Sequence, residues 1–171
     1  ACGAYAASVI TATTAQNTQG VRDIHAIPIS HLAHQLDAVL SDIHFGSIKI
    51  GMLHSCEVIE MVAAKLAQYQ AGNIVLDPVM VATSGDKLIT DDAIDCLKGF
   101  LPQADLITPN LQEAQLLMDQ TIDQHNFEAA ARQIGKTYKT SVLLKGGHLE
   151  SDSDHLTDVL FAYATQETHT I

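Results

Sequence analysis

The sequence predicts an α/β fold built on a mostly parallel sheet. Short apolar, β-branched runs recur along the chain, separated by stretches with helical spacing. The first of these runs does not alternate strictly between apolar and polar, which is the pattern of a strand buried on both faces. Single helices between such strands require crossover connections, and right-handed crossovers give parallel neighbours with both sheet faces covered.

Each element follows in order. Tyr5 to Thr14 is small, apolar and β-branched, and reads as a buried first strand. Residues 16–20 (QNTQG) break it with turn chemistry. Ser30 is a candidate N-cap for a helix to about Ser41, with Leu32, Leu36, Val39 and Leu40 on one face. Residues 47–53 (SIKIGML) read as a second strand, and Val58, Ile59, Val62, Ala63 and Leu66 repeat at helical spacing to about Tyr69. Residues 73–77 (NIVLD) are a short strand ended by Pro78, and residues 81–87 an exposed loop. Thr90, followed by Asp91 and Asp92, caps a third helix whose dipole suits acids in its first turn. Residues 105–108 (DLIT) form another strand, followed by helices near 110–118 and 126–138. Residues 141–145 (SVLLK) close on Gly146 and Gly147, residues 150–154 are a polar loop, and 158–163 with 167–171 make a final strand pair.

In such sheets ligands bind outside the carboxyl ends of the strands. Those ends carry Gln16 and Asn17, Met52, Asp77, Asn110 with Glu113, and Lys145 with Gly146, Gly147 and His148. Polar or unusual residues at nearly every strand end point to a site there.

The chain has 171 residues, which suits one domain able to bury a proper core. Nine Lys+Arg against 20 Asp+Glu give 9 − 20 = −11. That balance argues against non-specific nucleic-acid binding and against an anionic membrane surface, both of which need a cationic face. Cys2, Cys56 and Cys96 are an odd number without a CxxC. They read as structural thiols in a reducing compartment, with neither a disulfide framework nor a structural zinc site suggested. No apolar run approaches a membrane span, and no signal-peptide pattern opens the chain. The sequence starts at Ala1 without Met and runs almost directly into an apolar stretch, which hints at a fragment.

The candidate site residues each carry two readings. Asp77 could hold Mg²⁺, a hard cation that prefers oxygen ligands, or could cap a loop. Asn110 and Glu113, three apart at a helix start, could organise metal and phosphate at the positive helix end. On spacing alone they favour a capping box. Lys145 with Gly146 and Gly147 could cradle phosphates with freed backbone N–H groups and a point charge, or be an ordinary turn. Gln16 offers donors and an acceptor in one plane, suiting an aminopyrimidine edge, although a turn role is commoner for any one Gln. His31 and His34 read as a solvated helix face, and Met52 and Met61 as core, with the reservation that Met52 sits at a strand end.

Taken in series, several motifs closely resemble the hydroxymethylpyrimidine/phosphomethylpyrimidine kinases of thiamine biosynthesis, in the ribokinase-like superfamily. They are GAY (3–5), SVITA (8–12), TAQNTQG (14–20), KIGML (49–53), LDPVM (76–80), SGD (84–86), ITPNLQEA (107–114) and LKGGH (144–148). The resemblance runs over essentially the whole chain. It implies a three-layer α/β/α sandwich and an ATP- and Mg²⁺-dependent kinase. Its substrate would be 4-amino-5-hydroxymethyl-2-methylpyrimidine and then the monophosphate. It implies that Gln16 and Thr14 contact the pyrimidine and that Met52 and Val79 pack on the ring. Asp77 and Glu113 would serve Mg²⁺, while Asn110, Lys145, Gly146 and Gly147 would serve the nucleotide. A cytoplasmic homodimer is also implied. Two family segments have no counterpart here, the opening Gly-Ser-Asp-x-Ser-Gly-Gly strand and the C-terminal Gly-Thr-Gly-Cys-type loop that carries the catalytic base. The expectation is therefore a single kinase domain over 1–171 as the central portion of a longer enzyme, with no catalytic base of its own. The alternatives are a pyridoxal kinase of the same superfamily and a catalytically incomplete ligand-binding fragment.

Overall fold

The computed structural model describes residues 3–81, 88–147 and 156–171. Its centre is a six-stranded sheet. The strands are β3 (Ile48–Ile50), β4 (Ile74–Leu76), β5 (Leu106–Ile107), β6 (Ser141–Leu144), β7 (Val159–Ala162) and β8 (Glu167–Thr170), in that spatial order. β3 to β6 are parallel, and β7 and β8 join antiparallel. Helix α1 (Ile29–Asp42) precedes β3. α2 (Cys56–Gln68), α3 (Asp91–Phe100) and the pair α4 (Leu111–Met118) and α5 (Phe127–Tyr138) are the crossovers between successive parallel strands. This is the mostly parallel α/β architecture that the sequence implies.

Burial follows the two-residue period of the strands. Ile50, Ile74, Leu76, Ile107, Val142, Leu144, Val159 and Phe161 are buried, while their neighbours Val75, Leu106, Leu143 and Leu160 on the other face are half-buried. The deep core also takes Leu32, Val58, Ile134 and Met80. Each fully buried large apolar side chain contributes roughly 1.5–3 kcal/mol. α5 lies close on β7, because Gly135 leaves room for the Phe161 ring. α1 is tied to α2 by Lys65 Nζ and Tyr69 Oη, both donating to Asp37 Oδ1, at 2.6 and 2.9 Å.

Several expectations are corrected. The first buried strand over Tyr5 to Thr14 is not there. Residues 5–10 are irregular and mostly exposed, and the strand is instead β1 (Ala12–Asn17). β1 pairs antiparallel with β2 (Gly20–Ala26) in a separate two-stranded ribbon with a bulge between Ala15 and Gln16. The run of Thr and Ala in β1 supplies β-branched backbone preference but little apolar bulk, so nothing draws it into the core. β2 carries a readable signal in Val21, Ile24 and their polar neighbours, on the far side of the predicted turn.

α1 begins at Ile29, with Pro28 at its N-cap and no side-chain cap bond, so Ser30 lies inside the first turn. Thr90 stands at the N-cap of α3 but its hydroxyl turns away, at 3.5 Å from the His54 carbonyl. The cysteine reading changes as well. Cys56 and Cys96 form a disulfide across α2 and α3, with Cα atoms 5.5 Å apart, where separate thiols were expected. Parity and spacing carry no sign of this, since the two residues are 40 apart and meet only when the helices pack. Cys2, residues 82–87, His148 and residues 149–155 lie outside the described residues, and with them the expected loop at 81–87 beyond Val81 and the expected loop at 150–154.

Candidate functional site

The carboxyl ends of β4, β5 and β6 gather one polar cluster. β4 delivers Asp77, whose backbone N–H still bonds the Ile50 carbonyl at 2.9 Å, so the residue is fixed as an extension of the strand. β5 delivers Thr108 in the same way, its N–H on the Leu76 carbonyl at 3.0 Å. Pro109 then holds Thr108 extended and frees the chain for α4. β6 delivers Lys145, whose N–H bonds the Pro109 carbonyl at 2.9 Å.

Three donors converge on one carboxylate. Asp77 Oδ1 accepts from Lys145 Nζ and from Thr108 Oγ1, each at 3.0 Å, and Oδ2 accepts from Lys49 Nζ at 3.3 Å. Burial alone would raise the pKa of Asp77. The Lys145 bond and charge, with help from Thr108 and Lys49, outweigh it and hold the carboxyl below its ordinary value. Asp77 is therefore an ionised oxygen donor at neutral pH.

Glu113 has the opposite setting. It is buried, and burial pushes its pKa up against the backbone N–H of Asn110 and the charge of Lys145, with Asp77 adding to the rise. Its Oε2 accepts from Asn110 N–H at 2.8 Å, while Asn110 Oδ1 accepts from Glu113 N–H at 2.9 Å. This is the reciprocal capping box favoured by the spacing. The cap fixes the α4 N-terminus beside Asp77 and Lys145, so the capping and site readings concern one arrangement.

After β6, Gly146 is buried and donates its N–H to Asp158 Oδ1 at 2.9 Å, and Gly147 is exposed. Asp158 in turn exchanges backbone bonds with Ile171, which ties this turn to the β7–β8 ribbon. Lys49, Thr108 and Asp158 had no role assigned from sequence. Lys49 carried a signal, a cation between Ile48 and Ile50 one strand away from Asp77.

The pyrimidine candidates are more dispersed. Met52 lines a cavity of about 360 Å³ beside β3 and α1, with Thr11, Gly51, Val9 and Lys49. Thr11 Oγ1 donates to the Met52 carbonyl at 2.9 Å. The cavity meets the Asp77 cluster through Lys49, whose Nζ bonds Asp77, and through Ile50, whose carbonyl takes the Asp77 N–H. Val79 is half-buried, its N–H turned back to the Asp77 carbonyl at 2.8 Å. Thr14 and Gln16 lie exposed on β1, opposite Ile24 and Val21. Among the described residues no hydrogen bond joins either side chain to the β4–β6 ends.

The arrangement gathers an ionised carboxylate, two lysines and a helix N-terminus at adjacent strand ends, with the Gly146–Gly147 turn beside them. That set can neutralise and orient phosphate oxygens.

The family model described as phosphomethylpyrimidine kinase matches residues 1–171. The chain is 47% identical over 161 residues to the thiamine biosynthesis bifunctional protein of Geobacter sulfurreducens, covering 93% of this chain and 32% of the relative. It is 43% identical over 174 residues to the hydroxymethylpyrimidine/phosphomethylpyrimidine kinase of Escherichia coli, covering 99% and 64%. The crystal structure of phosphomethylpyrimidine kinase from Clostridium difficile superposes with a TM-score of 0.86 at 34% identity, over 98% of this chain and 71% of that one. An ADP complex of Bacillus subtilis pyridoxal kinase reaches 0.78 at 25% identity, over 94% and 60%. The chain thus spans less than two thirds of the curated relatives named.

Proposed function

The chain belongs to the phosphomethylpyrimidine kinase family, and from that premise we propose that its protein transfers phosphate from ATP to a hydroxymethylpyrimidine and then to its monophosphate, in thiamine biosynthesis. The observation that carries the reading is the convergence of Asp77, Lys145, Thr108 and the capped Asn110–Glu113 turn at adjacent strand ends.

In-line phosphoryl transfer asks little covalent chemistry of the protein and much positioning and charge neutralisation. Lys145 and the Gly146–Gly147 turn are assigned to nucleotide phosphates, with Asn110 at the positive end of α4 beside them. The residues fit a hard cation such as Mg²⁺. Asp77 is an ionised oxygen donor, already stripped of part of its water, and Mg²⁺ keeps several waters through which Glu113 can also act. When bound, Mg²⁺ would offset charge on the phosphate oxygens. Asp77 would hold the cation and Lys145 would hold a phosphate oxygen. Gln16 and Thr14 are assigned to the pyrimidine edge and Met52 and Val79 to the ring. What supports this is the motif resemblance, with Met52 at the cavity beside Lys49. Among the described residues we assign none as catalytic base.

A cytoplasmic homodimer acting on this small molecule completes the reading, on the resemblance alone. No described helix is long and apolar enough to cross a membrane.

The similarity to pyridoxal kinases favours one second reading, a pyridoxal substrate with the same hydroxymethyl acceptor chemistry. An ADP-release assay on the full-length protein with each substrate separates the two. The pyrimidine should give the higher kcat/KM, and a preference for pyridoxal would overturn the assignment.

A further inference from the structure

Away from the Asp77 cluster, the start of α2 holds a second group of ligand-type side chains. Ser55 is the N-cap of α2, accepting from Val58 N–H, and Cys56 is its first residue. Glu60 follows at i+4, on the same face one turn later. Cys96 reaches them from α3. The two sulfurs and a Glu60 carboxylate oxygen lie within 4.8 Å of one another. Both cysteines are half-buried and Glu60 is exposed.

We propose that, in the dithiol state, Cys56, Cys96 and Glu60 form a site for zinc or a similar thiophilic divalent cation, and that the disulfide is its oxidised, cation-free state. The distances fit a tetrahedral ion. Zn–S bonds of about 2.3 Å and Zn–O bonds of about 2.1 Å place a sulfur and an oxygen ligand about 3.6 Å apart. Cys56 Sγ and Glu60 Oε1 already stand 3.7 Å apart. Two thiolates on the same ion need about 3.8 Å between them. Rotating the Cys96 side chain away from Cys56 opens that gap without moving the helices, whose Cα separation here is 5.5 Å. Two thiolates select a soft or borderline ion over Mg²⁺. The helix N-terminus favours the thiolate of Cys56. Three protein ligands on an open side leave the fourth position to water.

The chemistry balances. A dithiol reductant gives two electrons and two protons to the Cys56–Cys96 bond, yielding two thiols and the reductant's own disulfide. The cation then displaces the two thiol protons. In reverse, glutathione disulfide oxidises the two thiolates to the disulfide, takes up two protons to become two glutathione thiols, and the cation leaves. The first turn of α2 is tied to α3 in either state. This site does not depend on the kinase reading.

The test uses the full-length protein with Cys2→Ser and any cysteine outside residues 1–171 also changed to Ser, so that Cys56 and Cys96 are the thiols titrated. The protein is reduced, stripped of metal and titrated with Co²⁺. One equivalent should give a thiolate-to-cobalt charge-transfer band that Zn²⁺ abolishes. The band should be missing after glutathione-disulfide treatment and in Cys96→Ser. Glu60→Gln should weaken Co²⁺ by about tenfold or more, since even outer-shell partners are worth that much. Zinc should also raise the melting temperature of the reduced protein and not of the oxidised protein. No thiolate band in the reduced protein, or an equal band in Cys96→Ser, overturns the proposal. Unchanged affinity in Glu60→Gln overturns the three-ligand site.

Discussion

Lys145 Nζ stands 3.0 Å from Asp77 Oδ1, joining strand ends 68 residues apart in the chain. Asp77 is one-fifth exposed at its side chain and Lys145 somewhat over a third. A half-buried ion pair of this kind is costly to break from one side, because the remaining charge loses its partner.

Lys145→Met should therefore raise the titration point of Asp77 and cost about 1–3 kcal/mol at pH 7. The sign follows from a folded pKa held below the unfolded value. The stability from Asp77 is present above the unfolded carboxylate range and is lost as pH falls through the lowered folded value. Urea unfolding of wild type and variant across acidic pH checks this. Parallel curves through the acid range would remove the pair from the account.

Glu113 behaves in the reverse sense. Its folded pKa is raised, so its contribution is fully present below the unfolded value and is lost as pH rises through the folded one. Glu113→Gln keeps a side chain able to cap and removes the titration. The variant should lose less stability than wild type as pH climbs from about 4.5 toward neutrality. Equal slopes would count against the burial effect.

Asn110→Ala removes the other half of the cap and should cost about 1 kcal/mol of stability. If α4 also presents its N-terminus to phosphate, KM for ATP should rise in the full-length protein. An unchanged KM would confine Asn110 to the cap.

Gly135→Ala tests the α5–β7 contact. A Cβ there would overlap the Phe161 ring and stand 3.0 Å from the Thr140 carbonyl oxygen. Overpacking costs about 1–3 kcal/mol against the roughly 1 kcal/mol that Ala gains over Gly in a helix. A net loss of stability is expected in thermal melts. A more stable variant would mean that the helix can shift without penalty.

Gln16→Ala should raise KM for the pyrimidine about tenfold in the full-length enzyme, the worth of one or two hydrogen bonds to a buried ring edge. A KM equal to wild type would reject the assignment of Gln16.

The sequence was most legible where local and tertiary signals agree. Val58, Ile59, Val62 and Leu66 mark α2 by period and are the residues it buries. Asp77, Asn110, Glu113 and Lys145 can be grouped from sequence because parallel strands bring their carboxyl ends to one edge, so the order of strands carries their meeting. The Asn110–Glu113 spacing even named its own cap. What was illegible depends on packing between distant elements. Cys56 meets Cys96 only through the α2–α3 contact. The fate of residues 5–17 turns on whether neighbours exist to bury them, and β-branched composition alone does not decide that. Lys49 is illegible in sequence because one cation in an apolar strand has no meaning until the β3–β4 pairing places Asp77 two residues beyond its partner Val75.

The alternating burial along the strands has a thermodynamic consequence. Heat capacity of unfolding is set by apolar surface newly exposed to water. Val75, Leu106, Leu143 and Leu160 are already partly hydrated in the folded chain, so melting adds less from them than from Val142 or Phe161. Along a single strand the contribution to ΔCp therefore alternates, larger from Val142 and Phe161 than from their neighbours Leu143 and Leu160.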